Sequence, residues 1–164
     1  DSSKGWVNIL RERLADNTED VTIINASVSG ETSKGGAARI NSVRQKFQPK
    51  ILILELGGND GLRGYPISDI SSNLETIIST SLSQNTRVVL MGMIIPPNYG
   101  IRYSSAFSAI FPKLASKYQL QYIPIQIEGT LTDKTLLQAD GIHPNEKGQM
   151  VIFEKVYGVL ADMI

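Results

Sequence analysis

The stretch 51–64, ILILELGGNDGLRG, decides the fold because an unbroken apolar run ends at two glycines, an asparagine and an aspartate. A short Leu- and Ile-rich run bounded by turn residues is typical of a buried parallel strand. Three further runs have the same character, and with KILILEL (50–56) they predict four strands. These runs are VTIINA (21–26), RVVLMGM (87–93) and QYIPI (121–125).

Amphipathic segments alternate with the apolar runs, and their apolar residues recur three or four positions apart, as one face of a helix requires. The order αβαβαβαβα predicts an α/β fold in which helices cover both faces of a mostly parallel sheet, a three-layer αβα sandwich. We expect a single domain over residues 1–164. The periodic sets are Trp6, Leu10 and Leu14; Ile40, Val43 and Phe47; Ile70, Leu74, Ile77 and Ile78; Phe107, Ile110, Leu114 and Tyr118; and Ile152, Val156, Val159, Leu160 and Met163.

The composition excludes several classes of function. Sixteen Lys and Arg residues balance sixteen Asp and Glu residues. No two basic residues are adjacent, so the sequence has no basic tract typical of nucleic-acid binding. Without cysteine there is no disulfide, no thiolate metal site and no cysteine nucleophile. One histidine and scattered carboxylates do not make a typical zinc site. We therefore expect no metal and no nucleic-acid partner. The sequence has no transmembrane stretch, so we also expect no stable membrane anchor.

The position of the strands predicts where a ligand binds. In open α/β sheets the binding site lies beyond the carboxyl ends of the strands, which points to the loops 27–36, 57–64 and 94–100. A fourth segment, 139–148, holds the single histidine, His143, just ahead of the last helix. We expect these segments to meet at one edge of the sheet.

The residues at that edge suit acyl transfer, which needs a base, a carboxylate that orients it, and donors aimed at a developing oxyanion. Asp140 and His143 fit the first two roles if the carboxylate accepts from Nδ1 and leaves Nε2 free to take a proton. The Gly30 N–H and the Asn59 side-chain amide fit the role of oxyanion donors.

Each of these residues also has a purely structural interpretation. Gly30 could supply a positive φ between strand and helix. Asn59 and Asp60 could be turn residues that bond their own backbone. His143 could be a surface residue near a helix start, with Asn145 as the N-cap. Taken singly, these interpretations remain open, and the predicted position at one sheet edge favours catalysis.

Four blocks of the sequence, in this order, strongly resemble the SGNH (GDSL) hydrolases, and among these the bacterial acyl-CoA thioesterase I/arylesterase/lysophospholipase type. The blocks are NASVSGET, LELGGNDGLRG, PPNYGIRYSSAFSAIFPKLA and DGIHPN. The resemblance implies a flavodoxin-like SGNH hydrolase fold and a serine hydrolase of esters and thioesters that acts through an acyl-serine intermediate without a cofactor. It makes Gly30 and Asn59 the oxyanion donors, Asp140 the orienting acid and His143 the general base. It also implies a bacterial protein of the periplasm or the exterior.

One departure from the family concerns the nucleophile. Family members open with a buried strand and a Gly-Asp-Ser-Leu block whose serine attacks the substrate, and this sequence lacks that block. GWVNIL (5–10) fits the helix that follows a separate loop in the family, so residues 1–3 fit that loop, and Ser2 and Ser3 fit poorly as nucleophiles. We expect the strand and its serine upstream of Asp1. The alternative function is a non-catalytic acyl- or glycan-binding domain without the nucleophile.

Apolar residues of the loops next to the predicted site are placed to line an acyl groove, although each could instead pack the loops together. We expect the partner to be a small acyl ester or thioester and the protein to be a monomer. The groove residues are Leu62, Tyr65, Ile94, Ile95, Pro97, Tyr99 and Tyr103.

Overall fold

The computed structural model of the protein describes residues 5–15, 21–124 and 133–164. Contacts divide the chain into two units, Asp1–Asn25 with Gln126–Ile164 and Ala26–Ile125. The single domain over 1–164 therefore stays a prediction, and each unit is described by itself. In the ranges described, no helix is both long and apolar enough to span a membrane.

A parallel sheet forms the centre of the larger unit. Its described strands are β1 (Ile51–Leu54), β2 (Arg87–Met91) and β3 (Gln121–Ile123), in that spatial order. Ile51 pairs with Arg87, and Val89 pairs with Gln121. The central strand is buried from its second residue to its last, because a strand with neighbours on both sides and helices on its faces meets no water.

Helices of the larger unit pack against this sheet and against each other. The helix α4 (Ile67–Leu82) contacts α2 (Ser33–Phe47) and β2, and α6 (Ile110–Tyr118) contacts β2 and β3. The apolar core includes the fully buried Leu74 and an edge-to-face pair, Phe107 and Phe111, with ring centroids 5.5 Å apart. The helices are α2 (Ser33–Phe47), α3 (Gly58–Leu62), α4 (Ile67–Leu82), α5 (Ile101–Ser108) and α6 (Ile110–Tyr118).

Two helices pack together in the smaller unit, α1 (Trp6–Ala15) and α7 (Glu146–Leu160). The Trp6 N–H donates to the Gln149 side-chain oxygen at 2.9 Å, and the Arg13 guanidinium lies 5.8 Å from the centre of the Tyr157 ring. The predicted apolar stripes account for most of their buried faces, but on α7 Phe153 is buried without having been predicted, and the predicted Val159 is only half-buried. Buried residues on the two helices are Trp6, Leu10, Leu14, Ile152, Phe153, Val156 and Leu160.

The predicted strand at 21–26 is wrong, because residues 21–28 form none of the three described strands. Ile24 is 45% exposed and Val28 is 55% exposed. A β-branched run fits a pleated, half-buried surface, but a ladder also needs a partner strand, which composition does not supply. The other three predicted strands are present and shorter than their apolar runs.

Helix boundaries also differ from the predicted ones. The segment 57–64, predicted as a loop, contains α3. The stripe from Phe107 to Tyr118 spans two helices, because Pro112 has no N–H to donate to residue 108 and its ring would clash with that carbonyl. The last helix ends at Leu160, and Met163 lies in the turn that follows.

Candidate active site

Asp140 and His143 form a hydrogen-bonded pair in the smaller unit. His143 Nδ1 lies 2.7 Å from Asp140 Oδ2. An ionised carboxylate can only accept, so Nδ1 carries the hydrogen, and the lone pair of the neutral ring is on Nε2. The His143 side chain is 66% exposed, and Nε2 makes no hydrogen bond to the described residues. The pair therefore presents a free basic nitrogen, as the sequence predicts.

The backbone around Asp140 fixes this geometry. Asp140 Oδ1 accepts from the N–H groups of Ile142, at 2.9 Å, and His143, at 3.0 Å. These bonds, with the His143 ring bond as the largest cause, lower the pKa of Asp140 from the ordinary 3.8 to about 2. The carboxylate is therefore ionised throughout the neutral range and continues to hold the ring nitrogen.

Asn145 anchors the loop that carries this pair. Its side-chain nitrogen donates to the carbonyls of Thr135, at 2.8 Å, and Leu137, at 3.0 Å. Its Oδ1 accepts from the second and third N–H groups of α7, which confirms the predicted N-cap. The Gln138 N–H donates to the His143 carbonyl at 2.8 Å. These bonds tie residues 135–138, before the pair, to residues 143–145, which lead into α7.

Gly30 and Asn59 come together in the larger unit. Asn59, the second residue of α3, donates one amide hydrogen to the Glu31 carbonyl at 3.0 Å. This bond fixes the orientation of the amide and leaves its second hydrogen available. Gly30 has φ 73°, so the positive φ predicted as its structural interpretation is present. The Gly30 N–H makes no hydrogen bond in the part of the chain that the structure describes.

The glycine before α3 explains why a helix starts directly after β1. Gly57 has φ 114°, a conformation that glycine adopts without the penalty a Cβ would bring. The chain therefore turns sharply at the strand end, and Asn59 sits in the first turn of the helix. The same short turn buries Asp60, which is 1% exposed.

The sequence does not reveal the partners of Asp60. Its carboxylate accepts from the Ser33 N–H at 2.8 Å and from the Ser33 hydroxyl at 2.6 Å. Asn73, on α4, donates to the same hydroxyl oxygen at 3.1 Å. These partners lie 27 and 13 positions from Asp60 along the chain. Residue type alone indicates a turn, and only the packing of α2 against α4 shows a buried network.

The predicted groove residues occupy different environments. Tyr65 and Tyr99 are exposed at 42% and 38%, whereas Ile95 is 5% exposed and belongs to the core. The Tyr99 hydroxyl donates to the Leu62 carbonyl at 3.0 Å, and the Tyr103 hydroxyl donates to the Tyr65 carbonyl at 2.6 Å. The segments 62–65 and 99–103 are thus linked. Packing in the core accounts for Ile95. The Pro97 side chain lies outside the described residues. That the predicted groove residues line an acyl groove stays a prediction.

The titratable residues show two further features. Burial raises the pKa of the Tyr103 phenol, and the Asp60 carboxylate adds to the shift, so this hydroxyl stays a donor. Among the described residues, no three His, Asp or Glu side chains lie close enough together to hold a metal ion.

Comparison with known proteins decides the family. The profile of the GDSL-like Lipase/Acylhydrolase family matches residues 1–151. The chain belongs to this family. Esterase TesA of Pseudomonas aeruginosa is 38% identical over 164 residues, which are 100% of this chain and 82% of that protein. The arylesterase of Vibrio mimicus is 41% identical over 153 residues, 93% of this chain and 76% of that protein.

Comparison with solved structures gives the same result. The crystal structure of TesA superposes with a TM-score of 0.92 and 38% identity, covering 100% of this chain and 91% of that one. The psychrotrophic esterase EstA from Pseudoalteromonas superposes with a TM-score of 0.89 and 34% identity, covering 98% and 88%. The predicted α/β fold class and the SGNH (GDSL) resemblance are confirmed. Membership supports a hydrolase over the non-catalytic binding domain.

Proposed function

We propose that the protein hydrolyses carboxylic esters and thioesters through an acyl-serine intermediate. One observation carries the proposal: His143 Nδ1 is bonded to Asp140 at 2.7 Å while Nε2 stays free. In a GDSL hydrolase this arrangement suits a general base. The attacking group is the serine of the Gly-Asp-Ser block that the family resemblance implies.

In the acylation step His143 Nε2 takes the proton of the serine hydroxyl as the serine oxygen bonds to the acyl carbon. The carbonyl π bond breaks, and its electrons form an oxyanion that the Gly30 N–H and the free hydrogen of the Asn59 amide stabilise. Asp140 stabilises the imidazolium through Nδ1 without taking its proton. The oxyanion electrons then re-form the carbonyl, and the bond to the leaving oxygen or sulfur breaks as Nε2 gives that atom the proton.

Deacylation repeats these steps with water as the nucleophile. His143 Nε2 takes a proton from water, and the hydroxide oxygen bonds to the acyl carbon. The same donors receive the second oxyanion, and the serine oxygen leaves with the proton from Nε2. The products are a carboxylic acid and an alcohol or a thiol, and no cofactor takes part.

Relatives support both leaving groups. They are named esterase and arylesterase, and the Escherichia coli K12 relative, 38% identical over 151 residues, is named thioesterase 1/protease 1/lysophospholipase L1. We extend ester and thioester hydrolysis to this chain and propose that the exposed Tyr65 and Tyr99 contact the acyl group. We also propose a monomer in the periplasm or outside the cell, which cell fractionation and light scattering test.

Steady-state kinetics of the full-length protein test the function. We expect hydrolysis of p-nitrophenyl butyrate and of butyrylthiocholine, with a loss of both activities on treatment with a phosphonate. A phosphonate is chosen because the esterase EstA has been solved in a form inhibited by monoethylphosphonate. Purified, folded protein that hydrolyses neither substrate would contradict the proposal.

A further inference from the structure

Asp60 is a buried carboxylate that the mechanism leaves without a role. It is 1% exposed and receives two hydrogen bonds from one residue, the N–H and the hydroxyl of Ser33. Ser33 is itself 0% exposed and begins α2. Burying a carboxylate costs free energy of folding unless hydrogen-bond donors such as these satisfy its oxygens. Because the two bonds mainly offset that cost, they add little stability to a protein that makes no other use of the charge.

The N-terminus of α2 explains why the carboxylate is stable there. The first N–H groups of a helix have no partner within the helix, and their aligned dipoles favour a negative charge. Thr32, the N-cap, satisfies the Gly35 N–H, and Asp60 satisfies the Ser33 N–H. Asp60 therefore acts as a second cap, provided by another helix.

This cap joins the two segments that carry the predicted oxyanion donors. Gly30 lies three residues before Ser33, and Asn59 is the neighbour of Asp60 in α3. Asn59 adds a second connection, since its amide donates to the Glu31 carbonyl at 3.0 Å. The segment 30–33 is thus bonded to the first turn of α3 at two points, Glu31 with Asn59 and Ser33 with Asp60.

A third helix holds the same hydroxyl. Asn73, on α4, donates to Ser33 Oγ at 3.1 Å, while that oxygen donates its own hydrogen to Asp60. The direction of both bonds is fixed because the Asn73 amide nitrogen only donates, which leaves the Ser33 hydrogen for Asp60. Ser33 cannot rotate away without leaving Asp60 or Asn73 unpaired in a buried site.

We propose that Asp60 is a positioning residue that holds the segment carrying Gly30 against the helix carrying Asn59 and so sets the spacing of the two oxyanion donors. The inference rests on the proposed function. It assigns Asp60 no contact with substrate, and its effect reaches the reaction through Gly30 and Asn59. A displacement of such donors by about 1 Å is enough to lower turnover about 100-fold.

Asp60→Asn tests the proposal because it keeps the shape of the side chain. The two bonds from Ser33 go to different carboxylate oxygens. Asparagine has an NH₂ donor in place of one of these oxygens, so it loses one of the two bonds in this geometry. In the full-length protein with p-nitrophenyl butyrate, we expect kcat to fall about 10- to 100-fold while KM changes less than about 3-fold. Thermal unfolding of each variant shows whether it is folded at the assay temperature.

A double-mutant cycle with Asn59→Ala separates positioning from general damage. If Asp60 acts through the oxyanion donors, Asp60→Asn should lower kcat less than about 3-fold further once Asn59 is alanine. Equal fold-losses in both backgrounds would overturn the proposal. An Asp60→Asn variant that retains the kcat of an active wild-type enzyme would also overturn the proposal. An inactive wild-type enzyme would instead contradict the proposed function itself.

Ser33→Ala keeps the proposal testable if Asp60→Asn does not fold. It removes the hydroxyl and retains the Ser33 N–H bond to Asp60, so we expect a loss in kcat of about 3- to 10-fold. Ser81→Ala is the matched control: Ser81 is also a fully buried helical serine, and its hydroxyl donates to the Ile77 carbonyl at 2.8 Å. Equal kcat values for the two folded alanine variants would overturn the proposal.

Discussion

His143 Nδ1 lies 2.7 Å from Asp140 Oδ2, and the other oxygen of the same carboxylate accepts the His143 backbone N–H at 3.0 Å. One carboxylate therefore fixes both the ring and the backbone of the residue it orients. Because the ring nitrogen that faces Asp140 must be the protonated one, the tautomer follows from this contact.

Asp140→Asn should lower kcat about 10³- to 10⁴-fold. The amide can turn its NH₂ towards Nδ1, which then has to accept. The ring hydrogen therefore moves to Nε2, and this nitrogen can no longer act as the base. Asp133→Asn is the matched control in the same unit, since Asp133 Oδ1 also accepts a backbone N–H and a side-chain bond, both from Thr135. Turnover of p-nitrophenyl butyrate measures both. Equal losses for the two variants would show that the loop, and not the histidine, is affected.

The pKa of Asp140 should be close to 2 in the native protein, as followed by the ¹³Cγ chemical shift, and should rise towards 3.8 in His143→Ala. The rise is incomplete, because the bonds from the His143 and Ile142 N–H groups remain. A folded-state pKa below the ordinary value means that these bonds stabilise the fold above about pH 3.8 and that this contribution is lost as the pH falls through about 2. A native midpoint near 3.8 would contradict the described geometry.

Asn59→Ala removes a hydrogen bond that forms chiefly in the transition state, so kcat should fall about 10²- to 10³-fold with little change in KM. Loss of the bond to the Glu31 carbonyl should also lower the free energy of unfolding by about 1 kcal/mol. Asn41→Ala, at an exposed position of α2, should change neither quantity. A defect of Asn59→Ala confined to KM would make Asn59 a substrate-binding residue.

Two glycines of α7 should respond in opposite ways to alanine. A Cβ at Gly148 would lie 2.4 Å from the Leu136 carbonyl oxygen and 2.8 Å from Pro144 Cβ, so Gly148→Ala should destabilise the protein by about 1–3 kcal/mol. A Cβ at Gly158 meets nothing within 4 Å, and alanine there should stabilise by about 0.5–1 kcal/mol through helix propensity. Urea denaturation measures both. Stabilisation by Gly148→Ala would contradict the close packing of the helix start on this loop.

Local patterns predicted most of the elements correctly. The apolar runs at β1, β2 and β3 and the helical stripes were sufficient, because a buried strand or an amphipathic helix shows its period in its own residues. Asn145 was also predictable as an N-cap, since its side chain bonds N–H groups two and three residues away.

Features that depend on distant partners were not predictable. Residues 21–26 have strand composition but form none of the described strands. The helix α3 forms from residues of low helix propensity because its first turn is bonded to Glu31 and to Ser33, the first residue of α2. Asp60 has the sequence context of a turn residue and the environment of a buried cap. For the same reason, the sequence predicted the bond between Asp140 and His143 Nδ1 but not the Ile142 and His143 N–H groups that hold the carboxylate, and the catalytic roles stay predictions.

The most direct test of the account is the intact mass of the full-length protein after treatment with a fluorophosphonate, compared between wild type and His143→Ala. We expect one adduct in the wild type, on the serine of a Gly-Asp-Ser block, and labelling at least about 10³-fold slower in the folded His143→Ala variant. Any of three results would contradict the account: an active wild type that takes no label, a label on Ser2 or Ser3, or labelling of His143→Ala at the wild-type rate.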